Sequence, residues 1–158
     1  LSSYASRAGN FIPGTGDGVV DLAGVPVAVA TCYEVAFDDL VTESVRAGAQ
    51  LIAVPTNNAT FGRTEMTYQQ LAMSRVRAVE HGRAVVIAAT SGVSAVIEPD
   101  GTVAQRTALF TPDVLIARVP LRTTTTLATR IGAAGEGICA AAVLAALVVR
   151  TWRSRQRT

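Results

Sequence analysis

The apolar positions between residues 25 and 104 follow two alternating spacings. Continuous apolar runs, typical of strands buried on both faces, alternate with segments in which apolar residues recur every three or four positions, as on one side of a helix. The predicted strands are 25–31, 51–54, 84–89 and 95–97, and the predicted helices are 37–47 and 64–81. A Pro99-Asp100-Gly101 turn then folds the chain back into 102–104 as a hairpin. Alternating strands and helices followed by a hairpin predict an α/β layered fold.

The segments that flank this region have other patterns. Residues 1–24 are rich in Gly, Ser, Asn and Asp, which predicts a loop-rich lead-in. Residues 114–117 form a short apolar run that predicts a last strand before Pro120. The layered domain is therefore expected to occupy residues 25–122.

The C-terminal segment differs in kind, because residues 131–149 contain one charged side chain, Glu136, between Arg130 and Arg150. This stretch has about the length that a helix needs to cross the hydrocarbon core of a bilayer. We therefore predict one transmembrane helix at 130–150. Because positive flanks tend to stay inside the cell, the basic tail 151–158 is expected in the cytoplasm and the α/β domain on the extracytoplasmic side. The alternative is a soluble α/β domain with a buried, Ala-rich helix.

The composition excludes several classes of function. Of the 158 residues, 49% are hydrophobic and 16% are charged, which is too apolar for a disordered protein. All 14 basic residues are Arg, and four of them lie in the last nine positions, which leaves no basic stripe for nucleic acid elsewhere. Cys32, Cys139 and the single histidine, His81, lack the spacing of a disulfide framework or a metal site. We expect neither a metal nor another cofactor.

Cys32 is the candidate nucleophile that the pattern offers. It follows the first buried strand and precedes a helix, and reactive groups of α/β proteins gather at the carboxyl ends of strands. A helix N-terminus favours a thiolate and supplies N–H donors for an oxyanion. Packing as a small buried side chain is the alternative for Cys32. His81 is the obvious residue to consider as a base, but a capping role at its helix end explains it without chemistry and is the interpretation we favour.

Two motifs lie where the first two predicted strands end. The first is Cys32-Tyr33-Glu34, and the second is Asn57-Asn58-Ala59-Thr60-Phe61-Gly62. Together with 70–80 and 91–97, they resemble the bacterial apolipoprotein N-acyltransferase family of the nitrilase, or carbon–nitrogen hydrolase, superfamily. The resemblance covers roughly residues 10–150, and the family likewise has a membrane span after its hydrolase-like domain.

The resemblance implies a fold and an activity. The fold is a nitrilase-like α-β-β-α sandwich, of which this chain would hold the C-terminal part, followed by one transmembrane helix. The activity is transfer of an acyl chain from a phospholipid, through a cysteine thioester, to the N-terminal amine of a diacylglyceryl-cysteine lipoprotein. Cys32 would be the nucleophile, and Tyr33 and Glu34 would shape the oxyanion or acyl site. Asn57, Asn58 and Phe61 would lie in a substrate loop.

This chain departs from the family pattern in ways that keep other functions open. The catalytic triad of the family contains a Glu and a Lys upstream of the cysteine, whereas this chain has no Lys. We therefore expect a C-terminal fragment that is inactive alone. Asn58 and Thr60 replace an Asp and a Trp of the family loop. The alternatives are a membrane-tethered, nitrilase-type amidase and a non-catalytic, membrane-anchored module.

Overall fold

The computed structural model describes residues 14–132 and 134–155, with only the backbone described at 136, 151 and 153–155. The first part of the predicted lead-in and the last residues of the predicted basic tail lie outside this range. From residue 19 onward, the described chain folds into one sheet with helices packed against it.

The sheet has six strands, which lie side by side in chain order. They are β1 Val19–Leu22, β2 Val25–Val29, β3 Leu51–Thr56, β4 Ala84–Ala89, β5 Ala95–Ile97 and β6 Val103–Arg106. The central pairs β2–β3 and β3–β4 are parallel, and the outer pairs are antiparallel. This arrangement confirms the predicted order of buried strands followed by hairpins.

Two α-helices cover one face of the sheet. They are α1 Asp38–Arg46 and α2 Met66–His81, and each crosses between parallel strands. Ile52, Val85 and Ile97 stand in register across three strands and belong to the core that the two helices bury. Leu51 and Ala53, which point to the other face, are only half-buried. The described residues thus form one helical layer and one sheet layer, as expected for part of a nitrilase-like sandwich.

Three short elements occur where the sequence predicts none. β1 lies within the predicted lead-in and joins β2 through Ala23 and Gly24, both with positive φ as in a type I′ turn. Ala is uncommon at that turn position, so the hairpin has no clear sequence signal. The second element is a 3-10 helix, Cys32–Ala36, which we call the elbow helix. A further 3-10 turn, Ala59–Phe61, lies in the loop after β3.

The strand predicted at 114–117 is wrong. This segment has no regular secondary structure, and Val114 and Ile116 are 79% and 83% exposed. A hydrogen bond from Gln105 Nε2 to the Ile116 carbonyl, 3.0 Å, links the segment to β6. An apolar run becomes a strand only when a partner strand pairs with its backbone.

The C-terminal segment forms two helices instead of one. Helix α3, Leu127–Ile131, ends at Gly132, whose φ of 53° lies in the left-handed region. Helix α4, Ala134–Arg155, follows it, so the predicted span at 130–150 neither begins at the predicted residue nor continues unbroken. In the part of the chain that the structure describes, no helix combines the length and apolarity needed to cross a membrane. The predicted transmembrane helix is not confirmed.

Candidate active site at the elbow helix

The predicted site residues meet at one edge of the sheet. Strands β2, β3 and β4 run parallel, so the segments after them lie beside one another at their carboxyl ends. Cys32 follows β2, Asn57 follows β3 and Ser91 follows β4. Backbone hydrogen bonds join the last two segments, from Asn58 N–H to the Ser91 carbonyl and from Thr90 N–H to the Thr56 carbonyl, each 3.0 Å.

Cys32 has a strained backbone. Its φ is 56°, in the left-handed region that residues with a side chain rarely adopt. Holding such a conformation costs about 1–3 kcal/mol, which the surrounding contacts must offset. The residue is the first of the elbow helix and is half-buried. A sharp turn from strand to helix presents a nucleophile at the top of a sheet.

Glu34 ties the start of the elbow helix to the chain before it. Its carboxylate accepts a hydrogen bond from the Thr31 N–H at 2.6 Å, and the Glu34 N–H donates to the Thr31 carbonyl at 3.1 Å. These two bonds span Cys32 and close the turn around it. The structure thus gives Glu34 a capping role, which the sequence alone did not reveal.

Tyr33 lies on the open side of the elbow helix. Its ring is half exposed and meets the Phe37 ring edge-on, with 6.1 Å between centroids. Its N–H is in the first turn of the elbow helix, where N–H groups lack intrahelical acceptors. The predicted oxyanion donor therefore occupies a position at which an N–H can serve a ligand.

The predicted substrate loop divides into buried and exposed parts. Asn58 is 1% exposed; its Nδ2 donates to Gln70 Oε1 at 2.7 Å, and its Oδ1 accepts from Thr56 Oγ1 at 2.9 Å. The buried Asn58 amide therefore links the loop to the end of β3 and to α2. Asn57 is exposed and accepts from Ser91 Oγ at 2.6 Å, and Phe61 is half-buried. Of the three predicted loop residues, Asn57 and Phe61 are therefore the ones with side chains accessible from outside.

A polar cavity of about 410 Å³ opens beyond Asn57, at the end of β4. Its lining includes the hydroxyl residues Thr90, Ser91, Ser94, Thr107 and Thr111. Adjacent strands are about 4.8 Å apart, which puts the end of β4 about 10 Å from the end of β2. The edge of the sheet that carries Cys32 therefore also offers space for a polar group.

Arg77 is the site residue that sequence reasoning missed. It lies on α2, and its side chain is buried, with Arg77 only 7% exposed. Its guanidinium donates to the carbonyls of Val35 and Ala36 in the elbow helix and pairs with Asp38 and Glu80. An Arg and a Glu three positions apart on a helix are able to pair, but no sequence signal indicates the contacts with the elbow helix.

His81 is not near Cys32. It ends α2 immediately before β4 begins, at the opposite edge of the sheet. Its side chain is fully buried, and its Nδ1 lies 2.9 Å from Thr129 Oγ1. Burial lowers the pKa of His81, although the carboxylate of Glu80 acts in the opposite direction. A role as base for Cys32 is excluded by this placement.

The described residues bring together no group of three His, Cys, Asp or Glu side chains that could hold a metal ion. What the site contains is a single half-buried thiol on a strained turn, backbone N–H groups beside it and a polar cavity nearby. This combination suits nucleophilic acyl chemistry, in which a thiol takes an acyl group and passes it on.

The chain is similar to known proteins over most of its length. The family model described as "Carbon-nitrogen hydrolase" matches residues 3–129. An apolipoprotein N-acyltransferase of Mycolicibacterium smegmatis is 52% identical over 94% of this chain and 25% of its own length. That of Geobacter metallireducens is 35% identical over 95% of this chain and 29% of its own length. The chain thus spans about a quarter of the length of these relatives.

Solved structures show the same fold. An amidase from Nesterenkonia sp. AN1, in which acrylamide has added to the active-site cysteine, has 28% identity and a TM-score of 0.51, covering 63% of this chain and 41% of its own. Nit3 of Saccharomyces cerevisiae, a member of the nitrilase superfamily, has a TM-score of 0.52 at 23% identity, covering 62% of this chain and 39% of its own. Since the family model matches most of the residues, this chain belongs to the carbon–nitrogen hydrolase family.

Proposed function

We propose that this chain carries the nucleophile of an apolipoprotein N-acyltransferase. The observation that supports this most directly is Cys32 at φ 56° on the turn from β2 into the elbow helix, in a chain 52% identical to an enzyme of that name. The acyl donor in this proposal is a phospholipid. The acceptor is the N-terminal amine of a diacylglyceryl-cysteine lipoprotein.

The proposed reaction has two acyl-transfer steps. The Cys32 thiol gives up its proton, and the thiolate attacks the ester carbonyl of the phospholipid. The C–O bond breaks, and the leaving lysophospholipid takes up the proton that the thiol lost. The lipoprotein amine then attacks the resulting thioester, the C–S bond breaks, and the amine proton is released as the thiolate returns. A thioester suits this sequence because it remains reactive toward an amine.

The residues beside Cys32 have proposed roles in these steps. The Tyr33 N–H would donate to the oxyanion of each tetrahedral intermediate. Glu34 would hold the turn through its bond to the Thr31 N–H, and Asn57 and Phe61 would contact the substrate. The cavity at the end of β4 would take a polar group of the donor or the acceptor. The Glu and Lys that the resemblance adds to the triad would come from outside these residues, so the 158-residue chain alone is expected to be inactive.

Membrane attachment is part of the proposal. Helix α4 exposes large apolar side chains along most of its length, which include Ile138, Val143, Leu144, Leu147 and Trp152. An exposed apolar surface of this kind favours a lipid or protein contact over water. We propose that α4 attaches the protein to the cell membrane, with the catalytic part on the extracytoplasmic side and the tail 151–158 in the cytoplasm.

The test is to trap the thioester in the full-length protein. It is incubated in detergent–phospholipid micelles with a phospholipid that carries a labelled acyl chain, and label that hydroxylamine removes is mapped to a residue. We expect label on Cys32, none in Cys32→Ser, and unchanged label in the matched control Cys139→Ser, because Cys139 is exposed on α4. A folded protein that acquires no label on Cys32 would contradict the proposal.

A second candidate function is amide hydrolysis, with water as the acyl acceptor. The similarity to the Nesterenkonia amidase favours it, since that structure also has an active-site cysteine. Ammonia release from simple amides, dependent on Cys32 and without acyl label from phospholipid, would favour this function. Neither label nor ammonia release in a folded protein would favour a non-catalytic, membrane-anchored module.

A further inference from the structure

We propose that Arg77 is a positioning residue for Cys32. In this proposal, its guanidinium fixes the far end of the elbow helix and so keeps Cys32 in its left-handed conformation. The proposal deepens the function proposed above, on which its meaning for catalysis rests. The contacts themselves, and the first measurement below, do not depend on the identity of the substrate.

The guanidinium of Arg77 holds the last carbonyls of the elbow helix. Its Nε donates to the Val35 carbonyl at 2.9 Å, and its Nη2 donates to the Ala36 carbonyl at 3.0 Å. The last carbonyls of a helix have no intrahelical donor and must find one elsewhere. Arg77 supplies these donors from α2, a rigid neighbouring element whose side chains also contribute to the core.

Two carboxylates make this buried cation tolerable. Asp38, at the start of α1, pairs with Nη2, and Glu80, one turn further along α2, pairs with Nη1. A charge taken out of water is tolerated when it is paired and hydrogen-bonded. Phe37 alone separates Asp38 from the elbow helix, so Arg77 joins three elements at this point: α2, the elbow helix and the start of α1.

The elbow helix is therefore held at both ends. Glu34 closes its beginning through the Thr31 N–H, and Arg77 closes its end through two carbonyls. Cys32 lies between these attachments with φ 56°, a conformation that the backbone leaves when it is free to do so. Only five residues make up the elbow helix, so movement of its end is transmitted directly to Cys32.

The arrangement requires Arg and not merely a positive charge. Nε and Nη2 reach two carbonyls at once because the guanidinium is a planar fork, whereas the ammonium of Lys is a point charge on a flexible stem. Arg75 provides a matched control on the same helix. It is exposed, and its Nε donates to the Gly101 carbonyl at 2.8 Å, away from the elbow helix.

The first measurement is alkylation of both cysteines by iodoacetamide in the full-length protein, quantified by peptide mass spectrometry. The rate at Cys32 is divided by the rate at exposed Cys139 in the same molecules at one fixed pH, which cancels differences in reagent concentration. We expect this ratio to fall about tenfold in Arg77→Ala, because the thiolate loses its placement beside the first N–H groups of the elbow helix. The ratio should not change in Arg75→Ala.

Rescue by a small ligand separates positioning from general destabilisation. Millimolar guanidinium chloride should restore most of the ratio in Arg77→Ala, since guanidinium ion can occupy the space and donate to the same carbonyls. It should not restore the ratio in Arg77→Lys, where the side chain fills that space; this variant retains the charge and serves if Arg77→Ala fails to fold. An unchanged or higher ratio in Arg77→Ala, a decrease that guanidinium does not reverse, or a normal ratio in Arg77→Lys would each overturn the proposal.

Thioester formation in the full-length protein connects the placement of Cys32 to catalysis. We expect Arg77→Lys to lower kcat for acylation several-fold with little change in KM, because Arg77 contacts the elbow helix and not the substrate. A change confined to KM would overturn the proposal. If wild-type Cys32 takes no acyl label while the alkylation ratio still depends on Arg77, the acyltransferase function fails and the positioning role stands.

Discussion

The elbow helix and helix α4 differ in what surrounds them, because the first is held by the domain and the second exposes its apolar side chains. The elbow helix is tied by polar contacts to Thr31 before it and to Arg77 of α2, and its Val35 is fully buried. In α4, large apolar side chains face outward, and Leu144 and Trp152 are 63% and 65% exposed. The two cysteines follow the same division, with Cys32 half-buried on a strained turn and Cys139 exposed on a regular helix.

The difference shows what each region contributes. A strained turn persists only where surrounding contacts hold it, so the elbow helix derives its shape from distant residues such as Arg77. Helix α4 is regular and needs no such support for its backbone, but its apolar surface lacks cover from the layered domain. Changes at the edge of the sheet that carries Cys32 should therefore alter the stability of the domain. Changes on α4 should instead alter how strongly the protein binds to a membrane.

Among the polar residues near Cys32, the largest effect on stability is expected for the buried side-chain amide of Asn58, in the loop after β3. Asn58→Ala removes the partner of Gln70 Oε1 and Thr56 Oγ1 in a buried place, so we expect the free energy of unfolding to fall by about 2–3 kcal/mol. Asn57→Ala is the matched control, because that side chain is exposed, and should cost less than about 1 kcal/mol. Urea unfolding checks both, and equal losses would contradict the division of this loop into buried and exposed parts.

A smaller effect is expected from the cap at the start of the elbow helix. Glu34→Ala removes the acceptor of the Thr31 N–H, which should lower the free energy of unfolding by about 1 kcal/mol. Glu34→Gln retains an oxygen acceptor and should recover most of this loss. If Gln proves as destabilising as Ala in urea unfolding, the carboxylate does more than cap the helix.

The next effect is confined to acidic pH and to His81. Burial lowers its pKa, and Arg77 and Arg83 act in the same direction, against Glu80 and Asp38. The unfolded chain therefore takes up the proton first, so the free energy of unfolding should decrease as pH falls below the ordinary histidine pKa of about 6.5. His81→Gln should flatten this decrease between about pH 7 and pH 5. Identical slopes for the variant and the wild type in unfolding titrations would refute the assignment.

The smallest effect on domain stability is expected on α4. Leu144→Ser replaces an exposed side chain, so unfolding of the layered domain should change by less than about 0.5 kcal/mol. The same change should weaken flotation of the protein with phosphatidylcholine–phosphatidylglycerol vesicles, because apolar area is lost from the proposed attachment surface. Ile52→Ser, in the core, should show the reverse pattern. A loss of domain stability in Leu144→Ser would mean that α4 packs on the domain.

The sequence by itself determined the order of buried strands and crossover helices. Strands buried on both faces must be continuously apolar and crossover helices must be amphipathic, so the spacing of apolar residues is enough to recognise β2, β3, β4 and α2. It also placed Cys32 at the end of a strand, and the match to the family model confirms the resemblance that the motifs at Cys32 and Asn57 indicated.

Only the tertiary structure decided which polar side chains support that cysteine. Arg77 lies far from Cys32 along the chain. Its charge is compatible with an exposed helix face or with a buried position in which it binds backbone carbonyls. The choice depends on which carbonyls the fold brings within 3.0 Å of it. The same holds for β1 and for residues 114–117, because a short segment becomes a strand only when a neighbour pairs with it. The local spacing of apolar residues therefore determined most of the elements that form. Long-range hydrogen bonding decided which side chains surround Cys32 at the edge of the sheet.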